Sequence, residues 1–179
     1  MLKIDNITIA YKDVPTVVDF SLDMAGGQIV SLVGESGSGK TTVVNLLMRF
    51  YDIDNGSITI DGVNIKDIDC ENLRKNTAIV LQDTVLFADT VKNNLLYSRQ
   101  DATDTEIIAA AKKANCHNMI MHLPDGYDSM LAKDGQNLSQ GQRQLLSIAR
   151  AFVASPKILI LDEATSSVDT RTEKRFRMQ

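Results

Sequence analysis

Residues Gly34-Glu35-Ser36-Gly37-Ser38-Gly39-Lys40-Thr41 fit the pattern G-x-x-x-x-G-K-[ST]. The run lies between an apolar stretch, Ile29–Val33, and an amphipathic one, which is the strand–loop–helix context a phosphate loop requires. Glycines let backbone N–H groups curl around phosphate oxygens, and a helix N-terminus adds the positive end of its dipole. In this arrangement Lys40 reaches the β- and γ-phosphates, and the Thr41 hydroxyl can ligate Mg²⁺. Gly34, Ser36, Gly37, Ser38, Gly39, Lys40, Thr41 and Thr42 are therefore the candidate phosphate contacts.

A second group of residues suits the same chemistry. The apolar run Ile158-Leu159-Ile160-Leu161 ends in Asp162-Glu163. Ligands in open α/β sheets sit at the carboxyl ends of strands, and adjacent strand residues point in different directions. One carboxylate can face a metal while its neighbour faces an attacking water. Asp162 is assigned to Mg²⁺ and Glu163 to the water. Read alone, an acidic strand end is simply solvated; beside a phosphate loop it becomes catalytic. A third group is Leu138-Ser139-Gln140-Gly141-Gln142, where Ser139 and Gln142 make a capping-box pattern. A capping Ser, a Gly backbone and a helix N-terminus together can receive an anion, although an ordinary cap has the same spacing.

These groups need elements to hold them. Leu2, Ile4, Ile7 and Ile9 alternate with polar residues, as do Val18, Phe20, Leu22 and Met24, which predicts strands with one solvated face. Ala25-Gly26-Gly27 is a turn, and Ile29–Val33 predicts a strand covered on both faces. A helix is expected from Lys40 to Phe50, with Val43, Leu46, Leu47 and Phe50 on its buried stripe. Ser57–Ile60, Asp61-Gly62 and Val63–Ile65 form a hairpin signal, and Ala78–Leu81 a short buried strand. From Asp83 to Ala154 the pattern turns helical. Thr103 and Glu106 form a capping box ahead of Ile107, Ala111 and Ala114. The Ser139-capped helix buries Leu145, Ile148, Ala149, Phe152 and Val153, Ser155-Pro156 ends it, and Lys157–Leu161 is a further buried strand. The layout is a βα core, a helical insertion and a return to the core.

Composition agrees with one globular domain. The chain has 179 residues, 44% hydrophobic and 23% charged, enough to bury a core without disulfide staples. A net charge of −4 leaves no basic footprint for nucleic acid. No apolar run approaches the roughly 20 residues of a membrane-spanning helix, and Met1–Asp5 lacks a secretory apolar core. Cys70 and Cys116 show no metal spacing and read as reduced thiols. His117 and His122 read as structural or surface residues.

The pentapeptide Leu138–Gln142 resembles the signature motif of ATP-binding cassette proteins, Leu-Ser-Gly-Gly-Gln, with Gln140 in place of the first Gly. With the phosphate loop before it and Asp162-Glu163 after it, the resemblance covers essentially the whole chain. Gln82-Asp83-Thr84-Val85-Leu86-Phe87 and Leu138–Ala151 are most similar to the cassettes of multidrug and lipid exporters. The family resemblance implies an α/β fold: a P-loop NTPase (RecA-like) core, residues 1–82 and 155–179, with an antiparallel β subdomain and an inserted α-helical subdomain, residues 83–154. It makes Glu163, Gln82 and Lys40 the catalytic group, and Thr41, Gln82 and Asp162 the Mg²⁺ ligands. Tyr11 stacks on the adenine of ATP, and Ser139, Gly141 and Gln142 face nucleotide across a head-to-tail pair of cassettes. Ser167-Val168-Asp169 resembles the loop that crosses to that partner. Lys133-Asp134-Gly135 resembles an exporter cross-talk segment, with Lys133 where a Glu is usual.

The implied function is ATP binding and hydrolysis that drives export. The implied partners are a second cassette and a transmembrane permease domain, with no nucleic acid, at the cytoplasmic face of the cell membrane. The family's switch histidine lies on a strand beyond the partner-crossing loop, whereas His117 and His122 both precede Asp162. The expectation is a C-terminally truncated cassette that hydrolyses ATP weakly. Two other readings stay open. A soluble cassette ATPase of DNA repair or translation would carry a long coiled-coil insertion or a tandem cassette. A nucleotide-binding module without catalysis would be a fragment or a degenerate site; Glu163 argues against it, and the expected C-terminal truncation argues for it.

Overall fold

A computed structural model describes residues 1–11, 14–35, 37–81 and 85–161, without the Tyr11 side chain. The chain divides into two compact units, Met1–Lys75 and Asn76–Gln179.

The first unit contains β1 (Leu2–Tyr11), β2 (Val14–Met24), α1 (Lys40–Leu47), β3 (Asn55–Ile60), β4 (Val63–Asn64) and α2 (Cys70–Lys75). The strands form one antiparallel sheet in the order β2-β1-β3-β4. Leu2 and Ile4 of β1 stand opposite Ile60 and Ile58 of β3, and Asp61-Gly62 turns β3 into β4, as the hairpin signal predicts. Strict alternation would put Ile7 on the opposite face from Ile4. Instead both are buried, because Asn6 takes a left-handed conformation (φ 45°) and shifts the register. The displaced Asn6 N–H donates to Ser21 Oγ, whose hydroxyl donates to Asn6 Oδ1. Asp19 (φ 50°) makes a second irregularity in β2. It buries Val17 and leaves Val18 59% exposed, so the sequence pattern assigned the wrong valine to the inner face.

Two further expectations need correction. Helix α1 stops at Leu47, because Arg49 turns left-handed (φ 50°) and donates through Nη1 to the carbonyls of Ile65 and Ile68. Phe50 therefore lies outside the buried stripe of Val43, Leu46 and Leu47, half exposed under the Arg74 guanidinium. Residues 29–33 form no strand, and Val33 is 93% exposed. A fully covered strand needs ladder partners on its edges and layers on both faces. Among the described residues the four strands of this unit pair with one another, and the parallel pair belongs to the other unit.

The second unit contains β5 (Thr77–Val80), α3 (Val91–Leu96), α4 (Asp104–Lys113), α5 (His117–Met121), α6 (Gln140–Val153) and β6 (Ile158–Leu161). β5 and β6 pair in parallel, Thr77 opposite Ile158 and Val80 opposite Leu161. Among the described residues this sheet has two strands, so β6 is half-buried rather than fully covered. Leu95, Ile107, Ala111, Ala114, Ile120, Leu146, Ile148 and Ala149 join one apolar core. On α6 the buried face is centred on Leu146, Ile148, Ala149 and Val153, while Leu145 and Phe152 pack at its margin.

Both capping boxes form. Thr103 Oγ1 accepts from Glu106 N–H, and Glu106 Oε2 accepts from Thr103 N–H at 2.8 Å. These bonds and the Arg99 guanidinium hold the Glu106 carboxyl down at about 2. His117 Nδ1 bonds the Tyr127 hydroxyl at 2.9 Å and His122 Nδ1 bonds Asn118 O, both structural roles. The Cys116 thiol is buried, which pushes its pKa up to about 12. Neither cysteine is in a disulfide.

Candidate functional site: a phosphate cradle and a capped helix

Helix α1 begins at Lys40, and its N-cap is Gly39, in the left-handed conformation (φ 87°) with no side-chain cap. The first N–H groups of a helix lack intrahelical partners, so this end presents donors to an incoming anion. The loop before it folds over the helix start. Ser38 N–H donates to Glu35 O at 3.2 Å, and Gly37 also takes positive φ. The Lys40 ammonium turns back into this loop and donates to Gly34 O at 2.7 Å and Glu35 O at 2.8 Å, with Ser38 Oγ at 3.3 Å. Its charge is thereby held at the centre of the cradle by weakly basic carbonyls, which a phosphate oxygen would replace with a charge-assisted bond. Thr41 is exposed at the second helical position and Thr42 is half-buried.

Gly39 is a geometric requirement, whereas a Cβ on Gly34 would chiefly meet the rotatable Ser38 hydroxyl, at 2.6 Å. A Cβ on Gly39 would lie 2.8 Å from Val17 Cγ2 and 2.9 Å from Thr16 O, so the loop rests on β2 through a bare α-carbon. Gly39→Ala should cost about 1–3 kcal/mol in backbone strain and lift the loop from β2. Thermal melting and nucleotide titration check this: a lowered midpoint and weakened binding are expected, and two unchanged values would refute the cradle geometry.

The second candidate group sits at the start of α6. Ser139 Oγ accepts from Gln142 N–H at 3.2 Å, and Gln142 Oε1 accepts from Ser139 N–H at 2.8 Å. A hydroxyl that accepts in a cap still has its own proton to donate. Ser139 can therefore cap α6 and donate to an external anion together. Gly141 is half-buried and Ser139 exposed. Lys133–Gly135 forms a tight turn before the cap, with Leu138 N–H donating to Gly135 O.

Ser36, Gln82, Asp162, Glu163 and Ser167–Asp169 lie outside the described residues, as does the side chain of Tyr11. β6 delivers the chain to Leu161, immediately before Asp162. The unpartnered N–H groups and the Lys40 ammonium suit a phosphate group, and Thr41, exposed at the helix start, carries a hydroxyl of the kind that can ligate Mg²⁺. Among the described residues no three His, Cys, Asp or Glu side chains converge as a metal site, and no helix is long and apolar enough to cross a membrane.

One polar cluster was missed from the sequence. Asn94 is 1% exposed inside α3 and bonds Phe87 N–H, Phe87 O and Thr90 O. Arg150 of α6 joins it. An Asn at a core-facing helical position is the local signal that could have found it.

The model of the family described as "ABC transporter" matches residues 17–166. The chain is 49% identical over 172 residues to the ATP-dependent lipid A-core flippase of Syntrophus aciditrophicus, covering 96% of this chain and 29% of that protein. It is 49% identical over 174 residues to a putative multidrug export ATP-binding/permease protein of Staphylococcus aureus, covering 96% and 30%. Among solved structures it is similar to a bacterial Atm1-family ABC exporter with ATP bound, at a TM-score of 0.89 and 43% identity, over 98% of this chain and 31% of that one. The chain thus spans about 30% of the length of the relatives it matches.

Proposed function

The chain belongs to the ABC transporter family, and from that premise we propose that it is the ATP-binding and ATP-hydrolysing cassette of an exporter for lipids or drugs. The observation that carries this reading is the Lys40 ammonium held by Gly34 O and Glu35 O at the uncapped start of α1. The printed names of the flippase, the multidrug export protein and the ATP-bound exporter support it.

In this reading the loop N–H groups and Lys40 bind the β- and γ-phosphates of ATP, and Tyr11 stacks on adenine. Thr41, Gln82 and Asp162 would hold Mg²⁺, which would neutralise charge on the phosphates. Glu163 accepts a proton from water as its oxygen attacks the γ-phosphorus, and ADP departs with the cleaved bond's electrons. The core comprises residues 1–82 and 155–179, with residues 83–154 as a helical subdomain. Two cassettes pair head to tail, so that Ser139, Gly141 and Gln142 of one donate to the γ-phosphate bound by the other. Closure of that pair drives a transmembrane permease domain from its cytoplasmic side. A lone cassette cannot build this sandwich, so the rate per chain should be weak where the chain is monomeric and rise as it pairs.

The reading is tested by titrating Mg-ATP into the full chain by calorimetry and following phosphate release. Saturable binding is expected, and its absence would overturn the proposal. Ser139→Arg or Gly141→Asp should spare binding at the chain's own loop and block ATP-driven dimers, since bulk or negative charge would oppose the partner's γ-phosphate. Light scattering that found normal dimers in both variants would exclude the role across the pair.

A further inference from the structure

Arg150 forms no ion pair with a carboxylate among the described residues. Its half-buried guanidinium is satisfied another way. Nε donates to Asn94 O at 2.8 Å, Nη2 to Asn94 Oδ1 at 2.9 Å and Nη1 to Val85 O at 2.9 Å. The rings of Phe87 and Tyr97 lie 5.6 and 5.7 Å from its central carbon. Burial lowers its pKa, so the cation is held at a desolvation cost that no carboxylate offsets. An apolar side chain would avoid that cost. What the guanidinium adds is a planar, multi-point geometry that neither an apolar group nor the point charge of Lys can reproduce.

That geometry fastens the segment 85–90 to α6. Val85 is bound directly, and Phe87 and Thr90 are bound through Asn94. The same segment is tied to the chain leading into α6. Asp134 N–H donates to Leu86 O, Leu131 N–H to Asp89 O and Val91 N–H to Ser129 O. Gly135 lets Leu86 and Arg143 approach, since a Cβ there would lie 2.8 Å from Leu86 Cδ1 and 3.1 Å from Arg143 Cδ. Arg150 stands eleven residues after the Ser139 cap, about 16 Å along the axis of α6. The segment is therefore gripped near both ends of that span.

We propose that Arg150 is a positioning residue: it locks segment 85–90 to the helix capped by Ser139, so that the two are displaced as one body during the nucleotide cycle. The segment begins three residues after Gln82. A displacement that starts on that side then reaches Ser139 without loss in a soft joint. The consequence for turnover rests on the cassette reading; the locking itself does not.

The test places spin labels on cysteines introduced at Val85 and Gln140 of the full chain, with Cys70→Ser and Cys116→Ala, diluted with unlabelled chain. Both label positions are exposed. The otherwise unchanged chain should give one narrow distance, unshifted by Mg-ATP. Arg150→Ala should broaden it, and Arg150→Lys should broaden it less. In unlabelled chains Arg150→Ala should lower kcat about 10-fold or more, with ATP affinity and KM within about twofold. A purely structural role would move melting and affinity together. If Arg150→Ala does not fold, Arg150→Lys carries the test, and a distance as narrow as in the unsubstituted chain would overturn the proposal, as it would in Arg150→Ala. If the unsubstituted chain shows no ATP binding, the cassette reading fails, while the label distances still decide the role of Arg150.

Discussion

Lys40→Ala should remove most of the chain's affinity for ATP. In the structure the ammonium sits in its own loop, bonded to Gly34 O and Glu35 O. Those bonds are between a cation and neutral carbonyls, and a phosphate oxygen is a stronger partner. On the cassette reading, Lys40 would exchange loop carbonyls for phosphate oxygens on binding, an exchange favoured because one side would then carry full charge. A hydrogen bond between charged groups contributes about 3 kcal/mol, so deleting it should weaken ATP about 10²-fold. The loss is specific, because α1 is anchored elsewhere: Val43, Leu46 and Leu47 are buried, and Gly39 rests on β2. Melting of the variant should stay close to that of the unsubstituted chain while calorimetric affinity collapses. Unchanged affinity would mean that Lys40 serves only to brace the loop. Lys40→Arg is not a mild control, since a planar fork cannot occupy the pocket made by those two carbonyls.

The candidate loop Gly34–Thr41 stands out in the sequence because phosphate chemistry demands residue types at fixed spacing, and α1 does begin at Lys40, although residues 29–33 before it form no strand. The capping boxes at Thr103 and Ser139 are legible because a cap is a contact within four residues. The register of the antiparallel sheet is not. Asn and Asp tolerate left-handed backbone better than other side chains, but many of them in the chain do not adopt it, so Asn6 and Asp19 do not by themselves fix the register; the shift accompanies the burial of Ile7 and Val17. The run Ile29–Val33 fails for a related reason. Apolar content alone cannot say whether ladder partners stand on either side, and among the described residues of its own unit none pairs with it. The Arg150–Asn94 cluster joins residues 56 apart, so only the fold brings it together. Sequence pattern thus locates the groups whose chemistry is local, and misses those whose geometry is made by distant backbone.

Glu163→Gln should leave ATP binding intact and reduce hydrolysis about 10²-fold or more, the usual contribution of a positioned general base. The residue follows β6, whose last residue, Leu161, pairs with Val80 at the carboxyl ends of two parallel strands. On the cassette reading, successive strand residues diverge, which is why Asp162 is given to the metal and Glu163 to the water. The amide of the variant keeps the shape and hydrogen-bonding reach of the carboxylate but cannot take a proton from water. Nucleotide contacts made by the Gly34–Thr41 loop are untouched, so calorimetric affinity should stay within about twofold of the unsubstituted chain, since no charge-assisted contact to phosphate is lost. If two cassettes close over ATP and open after hydrolysis, the variant should also accumulate as an ATP-dependent dimer, because the step that reopens the pair has been removed. Light scattering with Mg-ATP and single-turnover phosphate release measure the two consequences separately. A normal rate of release would assign the proton to another acceptor and take Glu163 out of the chemistry. Slow release without a dimer would keep the base and discard the closing pair.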